Sequence, residues 1–549
     1  MPGSVRNRLT NAASTEAAQL DARAELSAAA NLGGWRSSSP LAMSGTPTAT
    51  ARVAVSPALA PSLRQNERLM THAAQMLDGH VVVTVTARTR SGAKLQEHRH
   101  YPARADLAGM HLCEDARGKV PDLLLREGCR ILRVNRYSIT VEAPVRLLAE
   151  LTGQPMQLNA RAWTRRGTRA LGAFDEPTTE VEPAQLFFAP PRSLSVAPRG
   201  LSPMIDHFVF VPPPVEFGRV LIHPPKPAYH HLTQSAVRRL LKVGRAEGDG
   251  QGEKVCLVDS GFWPDHPYFG SVDARVAGVA VPGGTDVGVD ASGHGTAMSR
   301  NVLMVAPRAE LVGISYSAGA GASGTLIEAA LEIAAEQSPS VISCSWGWEH
   351  EQSWPGIEML LRELVQEGHI IVFAAGNGRM RSWPASLPEV ISVGGVHADE
   401  QGRLEASNYA SGFRSDRYPD RLVPDVSGLC GQQPQGIYIP LPCPPDSEAD
   451  RDTGLPYPEG DQTRAGDGWC VASGTSSSAP QVAGVIALLC ARARSQGRVL
   501  ASDDVRRILQ QSALAVTEGS NAFGLPSVGR PNVATGYGLV QAAAALDML

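Results

Sequence analysis

A serine hydroxyl attacks a carbonyl only when a base stands close enough to take its proton. The segment Ser473-Gly474-Thr475-Ser476-Ser477-Ser478-Ala479-Pro480 puts a hydroxyl-rich turn directly before an apolar run, Gln481 to Leu489. Gly474 lets the backbone turn, and Ser476 then falls near the N-terminus of a helix. The unpaired N–H groups and partial positive charge of that end suit a developing oxyanion. Two upstream segments could supply the base and the group that orients it. Gly293-His294-Gly295-Thr296 sets a histidine between glycines, and Val255-Cys256-Leu257-Val258-Asp259-Ser260-Gly261 ends a short apolar strand on a carboxylate. The chain order is Asp259, His294, Ser476.

These three segments, Asp-Ser-Gly, His-Gly-Thr and Gly-Thr-Ser before a helix, resemble the subtilisin-like serine peptidases, or subtilases, in residue type and order. A fourth segment, Ile370 to Gly378, resembles the family strand that ends in an oxyanion-hole asparagine, here Asn377. Taken singly, the four residues read as a turn aspartate, a loop histidine, a helix-capping serine and a turn asparagine; the ordered set overrides that reading. The resemblance covers roughly Lys254 to the C-terminus. It implies a serine endopeptidase acting on polypeptides through an acyl-enzyme. It further implies that Ser345-Trp346-Gly347 binds substrate backbone as an added strand, opposite the region Ser317 to Gly321. Trp383-Pro384 matches a step after the floor of the first specificity pocket, which places Ser382 at that floor; Arg379 and Arg381, on the short link before it, either point into solvent or reach the pocket rim, where they would favour acidic side chains. The chain departs from the family at Ser477, where methionine is usual, and at Trp346, which is bulky for its place. Family members often bind structural calcium, and calcium stays open here because no carboxylate cluster fixes a site and no metal ligands are assigned; the acyl-transfer chemistry itself needs no cofactor.

The elements around these residues fit the same chemistry. From Val255 onward short apolar strands alternate with helices, at Leu311–Ile314, Thr325–Glu336, Val341–Ser343, Gly356–Glu367, Ile370–Phe373 and Val390–Val393. That alternation predicts an α/β fold, a parallel sheet with helices on both faces. Asp259 and Asn377 fall just after strands, where such sheets bind ligands. The catalytic domain is expected over 231–549, with an exposed Pro-, Gly- and Asp-rich insertion at 430–469, read as a tolerated surface loop with a border of the substrate cleft as the alternative. Upstream, 1–77 reads as disordered, 78–170 as a small α+β domain and 171–230 as a Pro-rich linker. The small domain is expected to run strand–helix–strand–strand–helix–strand as a single sandwich. Its architecture is like that of subtilase propeptides, so a regulatory contact with the catalytic domain is expected, with a generic accessory domain as the alternative. His230-His231 lacks a third ligand nearby.

The net charge of −4 on 549 residues offers no basic field for nucleic acid. The eight cysteines are scattered and include no CxxC pair, which argues against a disulfide framework or a zinc ribbon. The N-terminus lacks the apolar core of a signal peptide, and no stretch is apolar enough to span a membrane. A cytoplasmic protein is expected, with unconventional export as the alternative. The rival functional class is a latent or non-catalytic binding module on a subtilase fold. An esterase would need Gly-x-Ser-x-Gly around the nucleophile, and Ser476 is not in one.

Overall fold

The computed structural model describes residues 53–77, 79–97, 106–160, 163–165, 178–180, 186–216, 230–245, 248–318, 321–432, 437–453 and 463–549. The chain forms two compact units.

The first unit runs to Pro213 and contains a five-stranded antiparallel sheet. Its spatial order is Arg130–Val134, Ile139–Pro144, His80–Ala87, Ile205–Val209, Ser195–Val196. The helix Glu114–Arg126 buries Ala116, Val120 and Leu124, spaced four apart on one face. A second sheet joins Val53–Val55, Met156–Ala160 and Leu186–Ala189.

Three expectations change here. The region 1–77 is not wholly without structure: it supplies the strand Val53–Val55 and the helices Ala60–Gln65 and Glu67–Leu77, with Leu59, Leu69 and Ala73 buried. The interval 171–230 is not simply a linker, because Leu186–Ala189, Ser195–Val196 and Ile205–Val209 belong to the sheets and Phe188 and Phe208 to the core. The prolines bound these strands rather than interrupting them. The strand Met156–Ala160 leaves the main sheet for the second one, so the single expected sandwich is two sheets.

The second unit holds the sequence-predicted chemistry. Its central elements are β1 (Lys254–Asp259), β2 (Arg275–Val279), α1 (His294–Val305), β3 (Glu310–Ser315), α2 (Ile327–Glu336), β4 (Val341–Cys344), α3 (Pro355–Gln366), β5 (Ile371–Ala374), β6 (Ile391–Ala398), β7 (Leu404–Ala406), β8 (Val426–Leu429) and α4 (Thr475–Ser495). The eight strands form one sheet, β2-β3-β1-β4-β5-β6-β7, with β8 also on β6. Every pairing is parallel except β6 with β7. β4, β5 and β6 are buried at every residue, as strands covered by helices on both faces must be. α1 packs on α4, and α2 on α3.

The segment 430–469 is more than a tolerated loop. Ile437–Pro442 and Trp469–Ala472 pair as antiparallel strands, and Glu448–Thr453 is a short helix between them. Ile439, Leu441, Cys443 and Cys470 are buried. The apolar positions are too few and too short-spaced to show a period in the sequence. The strand His230–His231 pairs in parallel with Ile437–Tyr438.

Candidate active site

β1 delivers Asp259 to the carboxyl edge of the sheet, where it is almost fully buried. The Ser260 N–H donates to its Oδ1 at 2.7 Å, and His294 Nδ1 donates to the same oxygen at 2.7 Å. His294 opens α1, and the preceding Gly293 has φ 79°, a left-handed conformation that glycine adopts at little cost. Strand and helix meet closely. A Cβ on Gly295 would stand 2.1 Å from the Gly261 carbonyl oxygen and 3.0 Å from Asp259 Cβ.

The start of α1 is held by Asp290, which the sequence reading did not single out. Its carboxylate accepts from the N–H of Gly293 (2.9 Å), the N–H of Thr296 (2.9 Å), Thr296 Oγ1 (2.7 Å) and Ser260 Oγ (2.8 Å). It thus satisfies first-turn donors of the histidine helix and ties them to the residue after Asp259. Burial nonetheless pushes its carboxyl above the usual range, against the pull of the Thr296 and Ser260 hydrogen bonds. An acidic residue shortly before a helix was the available signal.

Ser476 lies in the first turn of α4, after Gly474 at φ 123°. Its hydroxyl donates to the Ser345 carbonyl at 2.8 Å, and Ser345 Oγ donates back to the Ser476 carbonyl at 3.0 Å. That carbonyl would ordinarily accept an N–H four residues on. The residue there is Pro480, which has none, so the acceptor is left for Ser345.

Asn377 follows β5 and is fully buried. Its Oδ1 accepts from the Thr475 N–H and from Thr475 Oγ1, both at 3.1 Å, while the Gly376 N–H donates to Thr475 Oγ1 at 3.1 Å. Thr475 therefore fixes the amide with its oxygen turned toward α4 and Nδ2 as the opposite branch. The role of Thr475 was not foreseen from the sequence.

The bulky Trp346 points inward. It is fully buried, packs edge-on against Tyr316, Trp348 and Phe373, and its Nε1–H donates to the Val258 carbonyl at 2.6 Å. Its backbone faces another way. Trp346–Gly347 pairs antiparallel with Val215–Glu216, Val215 opposite Gly347 and Glu216 opposite Trp346. Glu216 is buried, and its Oε2 accepts from Ser292 Oγ at 2.6 Å. On the other side, Ser317–Ala318 pairs with Gly321–Ala322.

Ser382 is fully buried beneath the turn that presents Asn377: a Cβ on Gly376 would come within 3.1 Å of Ser382 Cβ. The two arginines expected at a pocket rim are engaged elsewhere. Arg379 Nε donates to the Ala522 carbonyl at 3.0 Å. Arg381 pairs with Asp416 at 2.9 Å and Glu351 at 3.4 Å and lies over the Phe413 ring. With His350 and Arg417, Arg381, Glu351 and Asp416 line an open cleft of about 450 Å³.

The sequence profile of the Subtilase family matches residues 250–538. An intracellular serine protease of Paenibacillus polymyxa is 26% identical over 263 residues, which cover 44% of this chain and 67% of the relative. A calcium-dependent protease of Trichormus variabilis is 28% identical over 306 residues, 48% of this chain and 42% of that one, so the match spans less than half of that relative's length. Among solved structures, fervidolysin of Fervidobacterium pennivorans, a keratinolytic enzyme related to subtilisin, aligns over 86% of this chain and 61% of its own at a TM-score of 0.50 and 16% identity, a likeness of fold.

Proposed function

The chain belongs to the subtilase family, and from that premise we propose that it is a serine endopeptidase that hydrolyses polypeptides through Ser476, His294 and Asp259. The observation that carries this reading is the buried His294–Asp259 hydrogen bond of 2.7 Å at the same sheet edge as a helix N-terminal serine. Asp259 holds the imidazole with Nδ1 protonated, so Nε2 is the basic nitrogen. The Ser476 hydroxyl turns from the Ser345 carbonyl to Nε2 and gives up its proton as Oγ attacks the substrate carbonyl. His294 then protonates the leaving amine, and water repeats the sequence on the acyl-enzyme. The Asn377 Nδ2 donor and the Ser476 N–H stabilise the oxyanion. Among the described residues no group of three or more His, Cys, Asp or Glu forms a metal cage, and no step is assigned to a metal.

The N-terminal region regulates this site. Val215–Glu216 lies on the Trp346–Gly347 edge where substrate backbone would bind, which supports a cleft filled by the chain's own segment. The eight cysteines are unpaired and six are buried, which supports a reducing compartment. No helix of the described residues is long and apolar enough to cross a membrane.

A fluorophosphonate probe tests both readings. It should label wild type at Ser476 and leave Ser476→Ala unlabelled; absence of label from both wild type and Glu216→Lys would exclude the peptidase reading. Glu216→Lys should raise the labelling rate severalfold by expelling the segment, and an unchanged rate would exclude latency of this kind.

A further inference from the structure

We infer that the cleft has a subsite for an acidic side chain at the penultimate residue on the acyl side of the scissile bond, and that Ser292 reads its carboxylate. The inference rests on the peptidase reading above and names a preference of that site.

The Val215–Glu216 strand fixes the register. Val215 faces Gly347 and Glu216 faces Trp346, so the chain runs toward Ser345. Ser345 is the residue that exchanges hydrogen bonds with Ser476. A substrate strand in the same register puts its next residue opposite Ser345, with its carbonyl beside Ser476. The residue in the place of Glu216 is then one step before the bond to be cut. Its side chain lies next to the histidine loop, since Ser292 is two residues before His294.

The site is built for an acceptor. Glu216 is 7% exposed, and a carboxylate this deeply buried is costly without a donor. Ser292 Oγ supplies one at 2.6 Å. Ser292 is itself held in place, because its carbonyl accepts from the Ala449 N–H at 2.9 Å and the neighbouring Ala291 carbonyl accepts from the Glu448 N–H at 2.9 Å. The helix Glu448–Thr453 of the insertion thus sets the histidine loop from behind, and Ser447 Oγ lies 2.5 Å from where a Cβ on Gly293 would be. Arg379 and Arg381 are committed to Ala522, Glu351 and Asp416. A hydroxyl donor favours glutamate over alanine and accepts glutamine more weakly, because hydrogen bonds to charged acceptors are roughly twice as strong as neutral ones.

The test uses the full-length protein and pairs of peptides that differ only at this position, cleaved in competition in one tube. The ratio of rates is then independent of how much enzyme has its own segment in the cleft. Glutamate should be cleaved roughly tenfold faster than alanine and severalfold faster than glutamine. Ser292→Ala should bring both ratios close to one, and Ser292→Thr, which keeps a hydroxyl, should retain the glutamate preference. Equal cleavage of the pair by wild type, or an undiminished ratio in Ser292→Ala, overturns the subsite while leaving the peptidase intact. Absence of both cleavage and fluorophosphonate labelling in wild type and in Glu216→Lys overturns the peptidase reading and the subsite with it.

Discussion

The amide of Asn377 is useful as an oxyanion donor only if its Nδ2 branch faces the cleft, and one neighbour decides that. Thr475 donates to Oδ1 from both its backbone and its hydroxyl, leaving Nδ2 as the outward branch. Asn377→Ala should lower kcat by roughly 10²–10³ with little change in KM, the loss known for such a donor in subtilisin. Thr475→Val keeps the N–H clamp and loses the hydroxyl, so kcat should fall by roughly tenfold while KM holds. Steady-state kinetics on one peptide separate these outcomes; a KM rise with constant kcat in either variant would assign the pair to ground-state binding. Asp259, His294, Ser476 and Asn377 were legible as candidates because each sits in a short signature at a strand end or helix start. Asp290 and Thr475 were not. Their work is to hold other residues through hydrogen bonds that only the fold reveals, and one aspartate or threonine among many carries no mark of it.

The elements that bring these residues together depend on two helices approaching unusually closely. α1 begins at His294 and α4 carries Ser476, and they touch where Gly484 faces α1. A Cβ there would stand 2.7 Å from Val305 Cβ and 3.1 Å from the Val302 carbonyl oxygen. Gly484→Ala gains up to about 1 kcal/mol of helix propensity. It also forces apart two packed helices, one contact being backbone, at a typical cost of about 1–3 kcal/mol. The net expectation is destabilisation by about 1 kcal/mol, measured as a lower urea midpoint at unchanged slope; a raised midpoint would mean that the helices can part freely. The strands and helices read from the sequence in the second unit recur to within a few residues, β6 apart, which runs on to Ala398, because buried parallel strands are continuous apolar runs; β2, β7 and β8 had no such reading. The first unit was less legible. Val53–Val55 and Leu186–Ala189 are short and flank Met156–Ala160 from opposite ends of the sequence. Pairing of that kind leaves no local signal, and the prolines nearby suggest a linker.

At the scale of the whole second unit, two buried carboxylates pull its pH dependence in opposite directions. Asp425 lies just before β8 and is gripped by Arg421 through Nη1–Oδ1 at 2.7 Å and Nη2–Oδ2 at 2.9 Å, by the Ser392 N–H at 2.8 Å and by Gln510 at 3.2 Å. It thereby joins the start of β6, the approach to β8 and the helix Ser502–Ser512. Burial alone would raise its carboxyl, but the charges of Arg421 and Arg506 with these hydrogen bonds hold it below the usual range. Asp290 is displaced the other way, upward by burial. The depressed group favours folding above the unfolded value of about 3.9, and that contribution is lost as pH falls through its lower folded value. The raised group contributes stability that is present below the unfolded value and lost as pH rises through its folded value. Asp425→Asn removes the first of these and leaves Arg421 buried beside a neutral amide, so it should cost about 3–5 kcal/mol at pH 7. The difference in unfolding free energy between wild type and Asp425→Asn, from urea titrations between pH 2 and 7, should stay constant down to about pH 4 and shrink below it. A difference that stays constant to pH 2 would mean that Asp425 does not protonate there and that its grip on Arg421 carries no share of the acid sensitivity.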